Sequence, residues 1–413
     1  SSTELIDIAY TSPNWSFTNI TGTSTLACPN DRRYSFAFLQ NTLIITDFGG
    51  SSVRKWSGSG AIATLTITGT GLTTLKAKYL AVCGDFLILA NVTENSTAKP
   101  SVIWWSQRGL VESFATTNWA TVGADDGDEI TGMVALAKSV LVFKRRSIWH
   151  GAYAGPEDGF VFEKVVSGTG NIAPFTLVEH NNLIYFVFYD GIYLFDGSPQ
   201  PKRISSPALL GYWGETLTEE QALQIWGHKF NDRDEVWFCA QDYTSSTLPT
   251  LIYNTTLTEW TQSSLLYNAL ANIPKTADLT IGEVDENIAI GDVEESIETA
   301  FFTTLGMTTV GGGTTNDLYE VVGGTTDGNS VELTYTWHSN PTNLGQPGVI
   351  KRFAGLQFMV QGTSGATLTI EPFVDGISKG TFTMLLPQIA EGETDVVGRS
   401  MNYTGEKIQI KIT

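Results

Sequence analysis

Asn182-Leu-Ile-Tyr-Phe-Val-Phe-Tyr-Asp-Gly-Ile-Tyr-Leu-Phe195 is the stretch whose reading decides the fold. It starts with a polar turn residue and an apolar run that suits a strand buried on both faces. Asp190-Gly191 supplies a tight turn, and a second, aromatic strand follows. Both halves recur along the chain. The first half reappears as Asn41-Thr-Leu-Ile-Ile, Asp85-Phe-Leu-Ile-Leu, Ser139-Val-Leu-Val-Phe, Asp234-Glu-Val-Trp-Phe and Asp278-Leu-Thr-Ile-Gly. The six copies are spaced by 44, 54, 43, 52 and 44 residues. The second half reappears at Val53–Trp56, Val102–Trp104, Ile148–Trp149, Leu251–Tyr253 and Leu318–Tyr319.

Elsewhere the texture is also strand-like, with short runs of Val, Ile, Leu, Thr and aromatics cut by Gly, Asn, Asp and Ser. One segment reads as a helix. Thr218-Glu219-Glu220-Gln221 has the capping-box pattern, and Ala222, Leu223 and Ile225 follow it. A period near 44 with about four strands per unit is the length of a propeller blade. The prediction is therefore an all-β chain: a β-propeller of about six blades over 1–327, then a small β-sandwich over 328–413. The alternative arrangement of the same repeats is an elongated β-array or two stacked sandwiches. Val331–Trp337, Phe353–Val360, Ala366–Val374, Gly380–Leu385 and Lys407–Ile412 read as the sandwich strands, with turns at Gly362–Gly365 and Asp375-Gly376.

Composition narrows the function. The 413 residues carry 43 acidic against 24 basic side chains, a formal charge of −19, which argues against a general nucleic-acid binder. Only 16% are charged, against roughly 25% in an ordinary soluble domain, so Thr, Ser, Asn and Gly finish the surface. Twelve acidic residues and no Lys or Arg lie between Lys275 and Lys351. There the sixth repeat is stretched by an acidic insertion at about 283–313. Three scattered cysteines, Cys28, Cys83 and Cys239, give no disulfide framework and no zinc spacing. No run approaches the length of a transmembrane helix.

Signatures of chemistry are sparse. There is no Walker phosphate loop, no HExxH and no nucleophile elbow. Gly168-Thr-Gly170-Asn-Ile-Ala173 matches a dinucleotide fingerprint, but Pro174 and a β run follow where a helix is needed. His150, His180, His228 and His338 lack ligand spacing and read as structural, with His150 and His338 as partner-facing alternatives. Asp125-Asp126-Gly127-Asp128 reads as a turn rather than a cation loop. Lys144-Arg145-Arg146 falls on a hairpin tip, either solvated or facing an acidic partner. No catalytic, cofactor or metal residues are assigned. Glu283, Asp285, Glu286 and Asp292, Glu294, Glu295 of the acidic insertion could supply paired carboxylates for glycoside hydrolysis, although such pairs are common in a chain this acidic.

Several phrases resemble the propeller proteins that form the tail nozzle, or hub, of short-tailed bacteriophages. They are Val102–Ser106, Asp125–Leu136, Leu141–Trp149, Gly168–Ala173 and Tyr189–Gly197. The junction around Asp317–Tyr319, Asp327-Gly328, Lys351–Phe353 and Asp375-Gly376 agrees in order. The resemblance covers roughly Ser101 to Gly376. It implies a virion structural protein, without enzymatic activity or cofactor, set in a ring of about six copies around the DNA-exit channel. Portal or adaptor and tail-fibre or tailspike proteins would be its neighbours, and DNA would pass without specific binding. Under that reading Glu283, Asp285, Glu286, Asp292, Glu294, Glu295 and Glu298 are the candidate channel-lining carboxylates, which would repel phosphate. The rival reading is a secreted or surface propeller that binds or hydrolyses carbohydrate, its tryptophans stacking on sugars. A third is an interaction scaffold with no virion role.

Overall fold

The computed structural model describes residues 4–11, 14–29, 32–124, 126–136, 138–156, 159–206, 209, 218–230, 234–240, 250–263, 269–276, 304–312, 318–320, 337–338, 342, 348–364 and 367–412. These residues are almost entirely β. Contacts divide the chain into two units. One is Ser1–Leu248 with Leu266–Val322, and the other is Pro249–Leu265 with Gly323–Thr413.

The first unit opens with an antiparallel pair, β1 (Ile6–Thr11) and β2 (Asn14–Asn19). Four-stranded antiparallel meanders follow, each with its strands in sequence order. Sheet 1 is β3 (Ser35–Leu39), β4 (Thr42–Thr46), β5 (Arg54–Trp56) and β6 (Ala63–Thr64). Sheet 2 is β7 (Leu75–Cys83), β8 (Phe86–Glu94), β9 (Thr97–Trp105) and β10 (Trp119–Thr121). Sheet 3 is β11 (Ile130–Leu136), β12 (Ser139–Lys144), β13 (Ser147–Gly155) and β14 (Gly159–Ser167). Sheet 4 is β15 (Val178–His180), β16 (Leu183–Phe188), β17 (Gly191–Phe195) and β18 (Lys202–Arg203). A one-turn helix α1 (Glu219–Ala222) precedes the fifth repeat, which starts with the pair β19 (Ile225–Phe230) and β20 (Glu235–Ala240).

The repeated phrases are the second and third strands of these sheets, and the polar residue that begins each phrase closes the turn before it. Gln40-Asn41, Gly84-Asp85 and Asn181-Asn182 all have positive φ, which Asn, Asp and Gly tolerate best. Second strands are buried on both faces, and alternate residues of each go to different neighbours. Leu87 and Leu89 pack toward sheet 1, whereas Ile88 and Ala90 pack toward sheet 3. Val140 and Val142 meet sheet 2, whereas Leu141 and Phe143 meet Ile184 and Phe186 of sheet 4. Each such large side chain contributes roughly 1.5–3 kcal/mol by leaving water, so these shared cores hold the sheets face to face. First strands meet one another as well: β3 lies against β7, β7 against β11, and β15 against β19.

Three expectations are corrected here. The turn in the deciding hairpin is Tyr189-Asp190, and Gly191 already pairs with Phe188 as the first residue of β17. Asp190 earns its place through its side chain, which accepts from the Tyr193 hydroxyl at 3.1 Å. In the sixth repeat the strands are β23 (Ala269–Thr276), β24 (Thr304–Gly312) and β25 (Leu318–Glu320). The strand beside Leu318-Tyr319 is therefore the end of the expected insertion, and the phrase at Asp278 lies outside the described residues. The capping box is as read, with Thr218 Oγ1 accepting from the Gln221 amide, but the helix it starts has only four residues. β19 lies against β23, and β1 lies against β23 in turn. Cys28, Cys83 and Cys239 are all buried, and none of them forms a disulfide.

The second unit contains a hairpin, β21 (Thr250–Asn254) with β22 (Glu259–Ser263). Its main sheet runs β26 (Trp337–His338), β32 (Ile408–Ile412), β28 (Thr367–Val374) and β29 (Ile377–Ser378), with β30 (Phe382–Leu385) also on β28. A long ribbon pairs β27 (Lys351–Ser364) with β31 (Gln388–Gly405). Phe353 and Met401 of the ribbon pack on Ile370, Val374, Ile408 and Ile410. Asp375-Gly376 turns β28 into β29, with φ of 52° and 79°. Strand β31 was not anticipated.

Candidate functional site

Connections between successive sheets and turns between second and third strands bring charged and aromatic residues together in the first unit. Glu129, just before β11, is the hub. Its carboxylate accepts from Arg145 Nε at 3.0 Å and Asn91 Nδ2 at 3.3 Å, and Lys78 Nζ is 3.5 Å away. Arg145 also pairs with Glu219 at the start of α1. Burial alone would raise the Glu129 carboxyl, but Lys78, Arg145 and Asn91 outweigh it and hold it below the ordinary range. Glu129 therefore stays ionised, the opposite of what a general acid needs.

Aromatic rings close the space next to this cluster. Phe48, after β4, meets Tyr79 of β7 edge-on at 5.7 Å and Phe175, before β15, at 5.8 Å. Arg32 and Lys78 sit over the Phe48 ring at 5.5 and 5.2 Å. Arg33 sits 4.5 Å from the Trp226 ring, in β19. Such contacts stabilise each cation by about 0.5–2 kcal/mol, more where water is excluded. The Tyr79 phenol is fully buried, which keeps it protonated far above its usual range. Phe48, Tyr79, Phe175 and Trp226 come from four different repeats, and no local motif marked them in the sequence.

The basic tripeptide is resolved into three jobs. Lys144 is completely buried, so neither solvent nor a partner reaches it. Its Nζ donates to the Val122 carbonyl at 3.0 Å, the Gly123 carbonyl at 3.3 Å and the Asp126 carboxylate. Arg145 braces Glu129, and the Arg146 amide donates to Asp128 Oδ2 at 2.9 Å. The Asp126–Asp128 turn and the basic turn are thus each other's partners. Gly168–Ala173 packs onto the same turn: a Cβ on Gly170 would sit 2.2 Å from the Lys144 carbonyl oxygen. That close approach is why glycine stands there, and no helix follows it.

The histidines are structural or peripheral. His180 is buried 3.6 Å from Asp234, and His228 bonds Asn272 at 3.1 Å. His150 lines a cavity of about 230 Å³ between sheets 3 and 4, with Leu141, Ile184, Phe195 and Asp196. The backbone of His338 pairs with that of Lys411, as β26 lies beside β32 in the second unit. Glu283, Asp285, Glu286, Asp292, Glu294, Glu295 and Glu298 lie outside the described residues. Among the described residues, no group of three or more His, Cys, Asp or Glu is arranged to hold a metal ion, and no helix is long and apolar enough to cross a membrane.

No family model and no curated protein matches the chain. Solved structures share distant likenesses with it. An exo-β-1,3-galactanase from Phanerochaete chrysosporium is 8% identical, with 95% of this chain and 94% of that chain covered, at a TM-score of 0.33. PorZ, a surface component of the type-IX secretion system of Porphyromonas gingivalis, is 11% identical, with coverage of 97% and 56% and a TM-score of 0.45. The extracellular domain of a putative hybrid two-component system from B. thetaiotaomicron is 13% identical over 62% of this chain and 30% of that one, at a TM-score of 0.37. Likenesses of this size carry no argument about activity or partner.

Proposed function

We propose that this chain is a virion structural protein, a subunit of a tail nozzle or hub ring of a short-tailed bacteriophage. In this reading the first unit is a six-bladed propeller and the second is a small β-sandwich. Six copies surround the DNA-exit path, with portal or adaptor and fibre or tailspike proteins as neighbours. The position of β1 against β23 supports ring closure by the N-terminal hairpin. The observation that carries the functional reading is the Glu129 cluster. Its carboxylates are matched by Arg145 and Lys78 and spent on joining sheets 2 and 3 to α1, which is the work of a scaffold. The low density of surface charge and the exposed Phe17, Phe36 and Phe38 suit extensive protein contacts.

One observation favours the carbohydrate reading. Trp119 on β10 is 47% exposed, with Trp104 6.3 Å beneath it, a platform on which a sugar ring could stack. Negative-stain microscopy with mass photometry separates the two. The nozzle reading expects six-fold rings at six times 44.9 kDa, about 270 kDa, with no release of sugar from polysaccharides. A 44.9 kDa monomer that hydrolyses a polysaccharide would overturn it.

A further inference from the structure

Three successive joints between sheets put a different side chain at one equivalent position. It is the residue of the third strand that lies opposite the third residue of the second strand: Lys55 opposite Ile44, Trp105 opposite Ile88 and His150 opposite Leu141. Each faces the next sheet, near the chain that follows that sheet's third strand. In the first joint the Lys55 ammonium reaches Glu112, between β9 and β10, at 2.9 Å. In the second, the Trp105 indole meets the Phe160 ring of β14 at 5.5 Å and comes within 2.5 Å of where a Cβ on Gly159 would stand. His150 does neither. Its imidazole is shorter than a lysine and smaller than an indole, it has no side-chain partner among the described residues, and a cavity of about 230 Å³ lies beside it.

That cavity is apolar inside and acidic at its mouth. Leu141, Val165, Ile184 and Phe195 form its walls. Asp196 follows β17 and stands at the rim, as Glu112 follows β9 in the first joint. The Ser198 amide donates to its carboxylate at 2.9 Å and holds it below the ordinary range, so it is ionised at neutral pH. No cation pairs with it among the described residues. Glu163, directly across from His150 on β14, is likewise unpaired, and Lys138, in the turn that leads into β12, pairs with neither.

The third joint therefore joins a carboxylate placed like Glu112 to an apolar space of the kind Trp105 fills in the second. A few polar groups converging on an apolar pocket are what small ligands use for orientation. We propose that this cavity binds a small aromatic primary amine, with its ring against Leu141, Val165 and Phe195 and its ammonium at Asp196. Such a ligand supplies in one molecule the cation and the ring that Lys55 and Trp105 supply to the other joints. This stands independently of the ring reading, because the cavity lies within one chain.

Ligand-observed NMR of the full chain at neutral pH tests it, with benzylammonium as the probe. Benzyl alcohol keeps only the ring and methylammonium only the charge. Benzylammonium should saturate one site with a Kd on the order of 1 mM, as its size allows. Each control should bind at least about threefold more weakly. His150→Trp rebuilds the joint on the pattern of Trp105 and should abolish binding. Asp196→Asn removes only an exposed charge and should weaken binding at least about threefold. No saturable binding of benzylammonium, equal binding of benzyl alcohol, or undiminished binding in either variant overturns the proposal. Should His150→Trp fail to fold, Asp196→Asn decides: undiminished binding there is equally fatal.

Discussion

Replacing Lys144 by Met removes a buried ammonium and keeps most of the volume of its stem. In the native fold that ammonium satisfies the Val122 and Gly123 carbonyls and the Asp126 carboxylate. Taking away one member of a buried ion pair costs about 3–5 kcal/mol, because the other charge stays behind unpaired. The Asp126 side chain is 21% exposed, so water recovers part of this and the lower end, about 3 kcal/mol, applies. In a unit of this size each kcal/mol moves the melting temperature by about 2 °C, giving a fall on the order of 6 °C. Thermal melts and urea midpoints of Lys144→Met, Asp126→Asn and the double variant form a cycle. The double variant should lose at least about 1 kcal/mol less than the sum of the singles, as residues in direct contact do. A Lys144→Met variant within about 0.5 kcal/mol of the parent, or strictly additive losses, would refute the clamp.

Glu129→Gln should flatten the acid limb of the stability curve. Because the folded carboxyl titrates below 4.5, its contribution is complete above that pH and is lost as the pH falls through the lower value. Urea midpoints at pH 7 and pH 3.5 should therefore converge in the variant relative to the wild type. Gly170→Ala would force a Cβ to 2.2 Å from a backbone oxygen that cannot swing aside, and should abolish soluble folded protein at 37 °C. Thr218→Ala removes the N-cap of α1 at a local cost of about 1 kcal/mol, visible as faster exchange at the Gln221 amide.

The meander of the fold was legible in the sequence because its signal is local. Asn41, Asp85 and Asn182 sit at positions where the backbone has to adopt positive φ, and the run after each is mostly apolar because both faces of that strand are buried. In the sixth repeat the strand beside β25 is the Thr- and Gly-rich β24, which lacks the apolar run that marks the other second strands. Strand β31 escaped notice for a related reason: Glu391, Glu393, Asp395, Arg399 and Asn402 break any alternation, and a two-stranded ribbon does not need one. The site was not legible. Lys144 looks solvated beside two arginines, and only the carbonyls of Val122 and Gly123, brought in by another turn, show that it is buried. Phe48 and Phe175 meet from repeats more than a hundred residues apart, as do Arg33 and Trp226, a distance over which no spacing rule operates.

The seat of β1 against β23 has a consequence for the order of synthesis. At roughly 5–20 residues per second, a ribosome needs about 13–50 s to pass from the first of these strands to the second. The earliest strand made thus pairs with β2 at once but waits for its contact with β23. Until then Ile6 and Phe17, half-exposed even in the finished fold, remain open to chaperones and to other nascent chains. The four meanders between them need no such wait, since each closes on strands made within the preceding seconds.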